Sequence, residues 1–320
     1  MRAVVLEDVG RLVERERPDP VPDPGEVLVE VGACGVCRTD LQILSGDLPL
    51  RRRPVVLGHQ VAGRIAGTGE RVGVAWLHGA DGTCPACRRG LENLCPNAEF
   101  TGWTADGGYA ELLRARRDFV FPLPAGFTDV QAAPLLCAGI IGYRSLRLAG
   151  TEPGGRLGLF GFGSSAHLAI QVALHWGCEV AAFARSDAER ALALRLGAAW
   201  AGGYDDRAPW PLDAAVTFAP AGSVVVAALR ALAPGATVAV NAIHLDGMPA
   251  FDYDLLWKER AIRSVANFTR ADATEFLALA GEIPIDAHVQ EFPLAAAGEA
   301  LERLAAGGIS GSGVLLVNPA

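Results

Sequence analysis

The chain has no apolar run approaching the ~18 residues of a membrane-spanning helix, and no long stretch of lysine and arginine. The first absence excludes a spanning segment. The second, with a formal net charge of −8, excludes nucleic acid as an expected partner, because affinity for a phosphate backbone rests on clustered cations that release counterions. No secretory leader is expected either, since Met1 to Asp8 reaches acidic residues before any apolar stretch of useful length, and the expected location is the cytoplasm. Charged residues make up only 20% against 51% hydrophobic, which excludes a wholly disordered chain, and neither an internal repeat nor a low-complexity segment interrupts it.

Seven cysteines are present, an odd number. Most fall in metal-like spacings, which fits a reducing compartment and thiolate ligation better than a disulfide framework. Asp81, Cys84, Cys87 and Cys95 have the compact spacing x2, x2, x7 of a closed metal site. Cys37, His59 and Cys137 are scattered, but two thiolates and an imidazole are the donors that a catalytic zinc takes while keeping its fourth position open. Taken singly, a buried cysteine is a small hydrophobe and a lone histidine a hydrogen-bonded residue. The ligand reading gains weight from the company these three keep. Cys34 and Cys178 are left over, and a Cys34/Cys37 redox pair lacks the thioredoxin-like βαβ setting.

At 320 residues the chain is expected to divide into two domains. β-Branched, glycine-interrupted stretches at Val27–Val31 and Val55–Ile65 predict short strands of a mostly β first region that displays both cysteine clusters on loops. After Gly139 apolar strands alternate with helical stretches. Strands are predicted at Leu157–Phe160, Val180–Phe183, Ala214–Phe218 and Thr237–Val240, and helices near Ala166–Trp176 and Ala188–Leu196. Alternation of this kind predicts an α/β, doubly wound parallel sheet. From about Asp286 a helix at Ala295–Ala305 and a strand at Val314–Val317 close the chain.

The segment Gly161-Phe162-Gly163-Ser164-Ser165-Ala166 directly follows a predicted strand and opens a predicted helix. That context gives a GxGxxA match its meaning: glycines allow the tight turn, and the helix N-terminus offers N–H groups to a pyrophosphate. About twenty residues on, where an acidic side chain would grip the ribose of NAD, the chain reads Phe183-Ala184-Arg185-Ser186. Arg185, with Ser186 and Arg190, leans toward the 2′-phosphate of NADP, although Asp187 lies close by.

With these pieces in hand the chain resembles the zinc-dependent medium-chain alcohol dehydrogenases over nearly its full length. Cys37-Arg38-Thr39-Asp40, Gly58-His59, Trp76-Leu77, the cysteine lobe, Gly107-Gly108-Tyr109-Ala110-Glu111 and Pro134–Gly139 occur in the family's order. The resemblance implies a GroES-like, mostly β catalytic domain of residues 1–137 and 286–320, with a Rossmann domain inserted over 138–285. It implies that Cys37, His59 and Cys137 bind catalytic zinc, that Asp81, Cys84, Cys87 and Cys95 hold a structural zinc, and that Asp40 orients His59. It also implies that Thr39 passes the proton of the alcohol, that Arg38 meets the pyrophosphate, and that Trp76 and Trp103 line the substrate pocket.

The expected activity is hydride transfer between a small alcohol and NAD(P), with aldehyde or ketone reduction in reverse, in a homodimer or homotetramer. The chain departs from the family's pattern at Gln60 (usually Glu), Gln42 (often His), Asp81 (usually Cys) and the short Gly67–Gly73 turn. A zinc-free quinone or enoyl reductase would have no use for the Cys-His-Cys set. A catalytically faded NAD(P)-binding sensor is the rival that Gln42 and Gln60 hint at.

Overall fold

The computed structural model describes residues 1–318. By their contacts they form two compact units, one of Met1–Ile140 with the segment from Asn267 onward, the other of Ile141–Ala266.

The hub of the first unit is the strand Glu26–Gly35, in which Val27, Val29 and Val31 favour extended backbone. One edge pairs antiparallel with Gln60–Ile65. The other edge is shared by Leu112–Arg116 along its first half and by Ser312–Leu316 along its last residues. The chain's end therefore returns to its beginning, with Leu315 opposite Cys34. Val289–Pro293 runs parallel to Ser312–Leu316, and the intervening helix Ala297–Ala305 buries Ala297, Ala300 and Leu301 on one face.

Val55–Ile65, expected as short strands interrupted by glycine, is two short strands that lie in different sheets. Val55–Val56 pairs with Arg2–Asp8, and Gln60–Ile65 with Glu26–Gly35. The break lies at Gly58, whose φ of +93° is a left-handed conformation that side chains disfavour. Its neighbours are hydrogen-bonded to the Gly107–Tyr109 backbone: the Gly108 and Tyr109 N–H groups donate to Gly58 O and Leu57 O at 2.9 Å each. This turn delivers His59 to the interior.

The second unit is a six-stranded parallel sheet in the order Trp200–Gly202, Glu179–Phe183, Arg156–Phe160, Leu212–Thr217, Leu232–Val240, Ala261–Ser264. This is the doubly wound arrangement, third-second-first-fourth-fifth-sixth in chain order. The two central strands Arg156–Phe160 and Leu212–Thr217 bury residues on both faces, as helix-covered parallel strands do. Phe160 and Phe183 stack with ring centroids 4.0 Å apart. Two strands and a helix of this unit lay beyond the sequence expectation. Ala261–Ser264 sits at the sheet edge and is mostly exposed, so it has no apolar pattern to read. The helix Gly222–Ala231 contains Val224, Val225 and Val226, which propensity assigns to a strand; burial of all three overrides it. Among the described residues no helix is long and apolar enough to cross a membrane.

A Cβ added at Gly58 would fall 2.3 Å from a Tyr109 ring carbon and 2.8 Å from Cys34 Sγ. Gly58→Ala is therefore expected to cost about 2–4 kcal/mol through overpacking and the positive φ, read as a lower urea midpoint. A change below about 0.5 kcal/mol, the ordinary range of surface substitutions, would contradict the tight packing of this turn.

Candidate functional site

Where the strand Glu26–Gly35 ends, Cys37 takes extended backbone (φ −132°, ψ 157°) and caps the helix Arg38–Ser45. Asp40, third residue of that helix, turns its carboxylate back so that Oδ2 accepts the Cys37 N–H at 2.8 Å. An acidic residue in the first turn also suits the helix dipole. Asp40 is fully buried and gathers two further partners: Tyr109 OH donates to Oδ2 at 3.0 Å, and His59 Nδ1 lies 3.1 Å from Oδ1. With Nδ1 donating to the carboxylate, the ring keeps its Nε2 lone pair for a metal.

The donor atoms of Cys37, His59 and Cys137 all lie within 4.8 Å of one another. Cys137 is brought there by the turn of Ala133–Leu136, whose four residues are all buried. The electrostatics suit a cation. The Cys137 thiol and then the His59 ring hold Cys37 well below the usual thiol range, and the Cys37 charge together with burial pushes Cys137 well above it. Burial opposes a charge on His59, but Asp40 and Cys37 outweigh it and raise its pKa to about 10. A site in which one thiolate and one carboxylate force neighbouring groups to keep their protons is electron-rich, and a divalent ion replaces those protons. The residues present thus fit a three-ligand zinc site with an open position.

Thr39 is buried with Oγ1 3.7 Å from Cys37 Sγ. Gln60, also buried, donates Nε2 to Val36 O at 3.2 Å, and its Oε1 has no partner. Gln42 is half-buried and Arg38 exposed. Trp76 meets the His59 ring edge-on at 4.8 Å and stacks on Trp103 at 5.9 Å, so both tryptophans adjoin the donor set.

The second group, Asp81, Cys84, Cys87 and Cys95, likewise brings its ligand atoms within 4.8 Å. Asp81 Oδ1 accepts the Thr83 and Cys84 N–H groups at 2.8 and 2.9 Å, and Oδ2 accepts from Asn97 Nδ2 at 2.9 Å. These bonds, the Cys84 N–H first, hold the carboxyl well below its usual range and fix it as an anion beside three sulfurs. Cys84 is lowered chiefly by the Cys87 N–H, whereas burial and then Cys84 push Cys87 up to about 12. A carboxylate has about four lone-pair sites, and the three hydrogen bonds leave one of them on Oδ2, so an Asp-Cys-Cys-Cys set can still close around zinc.

In the second unit Gly161 has φ +89°, and a Cβ there would approach Ala219 N to 2.9 Å. Only glycine fits this turn. Gly163 precedes the helix Ser164–His175, and a Cβ added to it would meet nothing within 4 Å, leaving open space over the loop. No side chain caps this helix, in contrast to those begun by Thr128, Ser186 and Thr269, each of which carries a capping box. Uncapped N–H groups under open space fit a dinucleotide pyrophosphate. Phe162 is buried, so only its backbone can face a ligand. Of the three candidates beyond the second strand, Ser186 caps its own helix, and Arg190 donates to Ala184 O and Arg185 O and pairs with Asp187. Arg185 remains exposed, with no hydrogen-bonded side chain among the described residues.

Sequence reasoning overlooked Tyr109 as a partner of Asp40. A buried hydroxyl beside a carboxylate leaves no trace in spacing, because the two residues are 69 positions apart.

Residues 23–125 match the family model described as alcohol dehydrogenase GroES-like domain, and residues 166–282 the one described as zinc-binding dehydrogenase. A Mycobacterium tuberculosis protein named as a probable alcohol dehydrogenase is 49% identical over 325 residues, covering 97% of this chain and 94% of the relative. An alcohol dehydrogenase of Geobacillus stearothermophilus is 32% identical over 337 residues, 99% of this chain and 100% of that protein. Among solved structures, a cinnamyl alcohol dehydrogenase from Sorghum bicolor superposes with a TM-score of 0.90 at 27% identity, covering 98% of this chain and 97% of that one. With a GroES-like half, a doubly wound half and relatives this similar over nearly the whole chain, the protein belongs to the zinc-dependent medium-chain alcohol dehydrogenase family.

Proposed function

We propose that the protein is a zinc-dependent dehydrogenase that moves hydride between a small alcohol and a nicotinamide dinucleotide, and that reduces the aldehyde or ketone in reverse. The observation that carries this reading is the convergence of Cys37, His59 and Cys137 within 4.8 Å, with His59 Nδ1 tied to a buried Asp40. A zinc-free reductase would not need that set. In this reading the catalytic domain comprises residues 1–137 and 286–320, and the dinucleotide domain residues 138–285.

Zinc held by the three donors would supply Lewis acidity that eases loss of the alcohol's proton, and the dinucleotide would take the hydride. The remaining steps belong to the chain. Asp40 keeps Nδ1 protonated, so that His59 presents Nε2. The thiolates of Cys37 and Cys137 would offset part of the ion's charge and moderate that acidity. Thr39, buried beside Cys37, receives the alcohol proton on Oγ1 and hands on its own. Gln42 does not titrate near neutrality, so release proceeds to water. Gln60 is committed to Val36 O and offers no carboxylate to the metal. Trp76 and Trp103 form an apolar wall for substrate.

Asp81, Cys84, Cys87 and Cys95 hold a second, structural zinc in this reading. Arg38 and the backbone of Gly161, Phe162, Gly163, Ser164 and Ser165 bind the pyrophosphate. Arg185, exposed and without a hydrogen-bonded side-chain partner among the described residues, favours NADP over NAD. In this reading the protein works in the cytoplasm as a homodimer or homotetramer.

Purified protein is expected to reduce the cofactor with alcohols from a panel of short, branched and aromatic members, and Cys37→Ala to abolish turnover. Wild-type rates in Cys37→Ala would refute zinc catalysis, and silence across the panel at full metal and cofactor occupancy would favour the sensor reading. Arg185→Ala is expected to lower kcat/KM about tenfold for NADP while changing it little for NAD, the scale of one charge-assisted contact. A strong wild-type preference for NAD would contradict that assignment.

A further inference from the structure

Three consecutive arginines, Arg51, Arg52 and Arg53, precede the turn that presents His59. Two are paired: Arg52 with Asp106 at 3.2 Å and Arg53 with Asp8 at 3.1 Å. Arg51 turns elsewhere. Its guanidinium carbon stands 4.6 Å from the centroid of the Trp103 ring, and it has no ion-pair partner among the described residues. Trp103 is a fixed platform, because its Nε1 donates to Pro49 O at 2.9 Å and the residue is only 7% exposed. It stacks on Trp76 at 5.9 Å, and Trp76 meets the His59 ring at 4.8 Å. An aromatic wall therefore links a proposed metal ligand to one exposed, uncompensated cation.

A guanidinium that lies on an indole uses its face for that contact and keeps its in-plane N–H groups as a fork. A planar carboxylate fits such a fork bidentately. A more highly charged phosphate would want further free cations, and the adjacent Arg52 and Arg53 are already paired. We propose that Arg51 is a specificity-determining residue that selects aromatic alcohols and aldehydes carrying a carboxylate at the end remote from the reacting carbon. This rests on the dehydrogenase reading above and names its substrate class.

The test compares reduction of 4-formylbenzoate with that of its neutral methyl ester, in wild type and in Arg51→Gln. Each substrate's intrinsic reactivity cancels in the acid-to-ester ratio of kcat/KM between the two proteins. That ratio is expected to fall about fivefold in Arg51→Gln, mainly through KM, and the wild-type ratio to shrink as salt is raised, as a partly exposed ion pair requires. Calorimetric binding of 4-formylbenzoate without reduced cofactor should weaken by a similar factor. A ratio that changes less than twofold, with both compounds turned over, overturns the role of Arg51 and leaves the dehydrogenase reading standing. Turnover of neither compound, nor of any alcohol in the panel, overturns both.

Discussion

The carboxylate of Asp40 is the point on which the site depends. A fully buried charge is tolerable only when its partners surround it. Asp40 takes those partners from three separate stretches: the Cys37 N–H, the Tyr109 hydroxyl and the His59 ring. The same contacts start a helix, lock the Gly107–Tyr109 segment against the Gly58 turn and choose the histidine tautomer. The placement of two of the three donors, Cys37 and His59, thereby follows from how this unit folds.

The two cysteine clusters solve different electrostatic problems. Around Cys37, His59 and Cys137, a buried Asp40 and His59 stand beside two partly buried thiols, and each negative charge there raises its neighbours' affinity for protons or for a metal cation. Around Asp81 the groups are partly exposed, and backbone N–H groups rather than burial set the protonation of Asp81 and Cys84. Replacing a soft thiolate by a hard carboxylate at Asp81 is tolerated there because two N–H groups and an amide already hold that carboxylate in place.

The fold was legible where burial writes itself into residue type. Leu157–Phe160 and Val180–Phe183 are apolar on both faces because helices cover the sheet, and the structure extends each by a single residue. It was illegible where tertiary context decides. The glycine interruption of Val55–Ile65 shows in the sequence but not that Gly58 sends its two strands to different sheets, and the strand propensity of Val224–Val226 yields to burial in a helix. The donor residues stood out because sulfur and imidazole in an unusual pattern are chemically rare. Tyr109 and Arg51 did not, since the one acts through a hydrogen bond across 69 positions and the other through the direction in which a loop arginine turns.

The most direct measurement is the zinc affinity of the Cys37–His59–Cys137 set in Asp40→Asn, obtained by competition with a chromophoric chelator. The substitution keeps the shape of the side chain and removes the charge that three donors converge on. The account predicts affinity about 10–100-fold weaker than wild type, the usual effect of losing a partner that orients a ligand, with the Asp81 cluster unaffected. Wild-type affinity in that variant would contradict it.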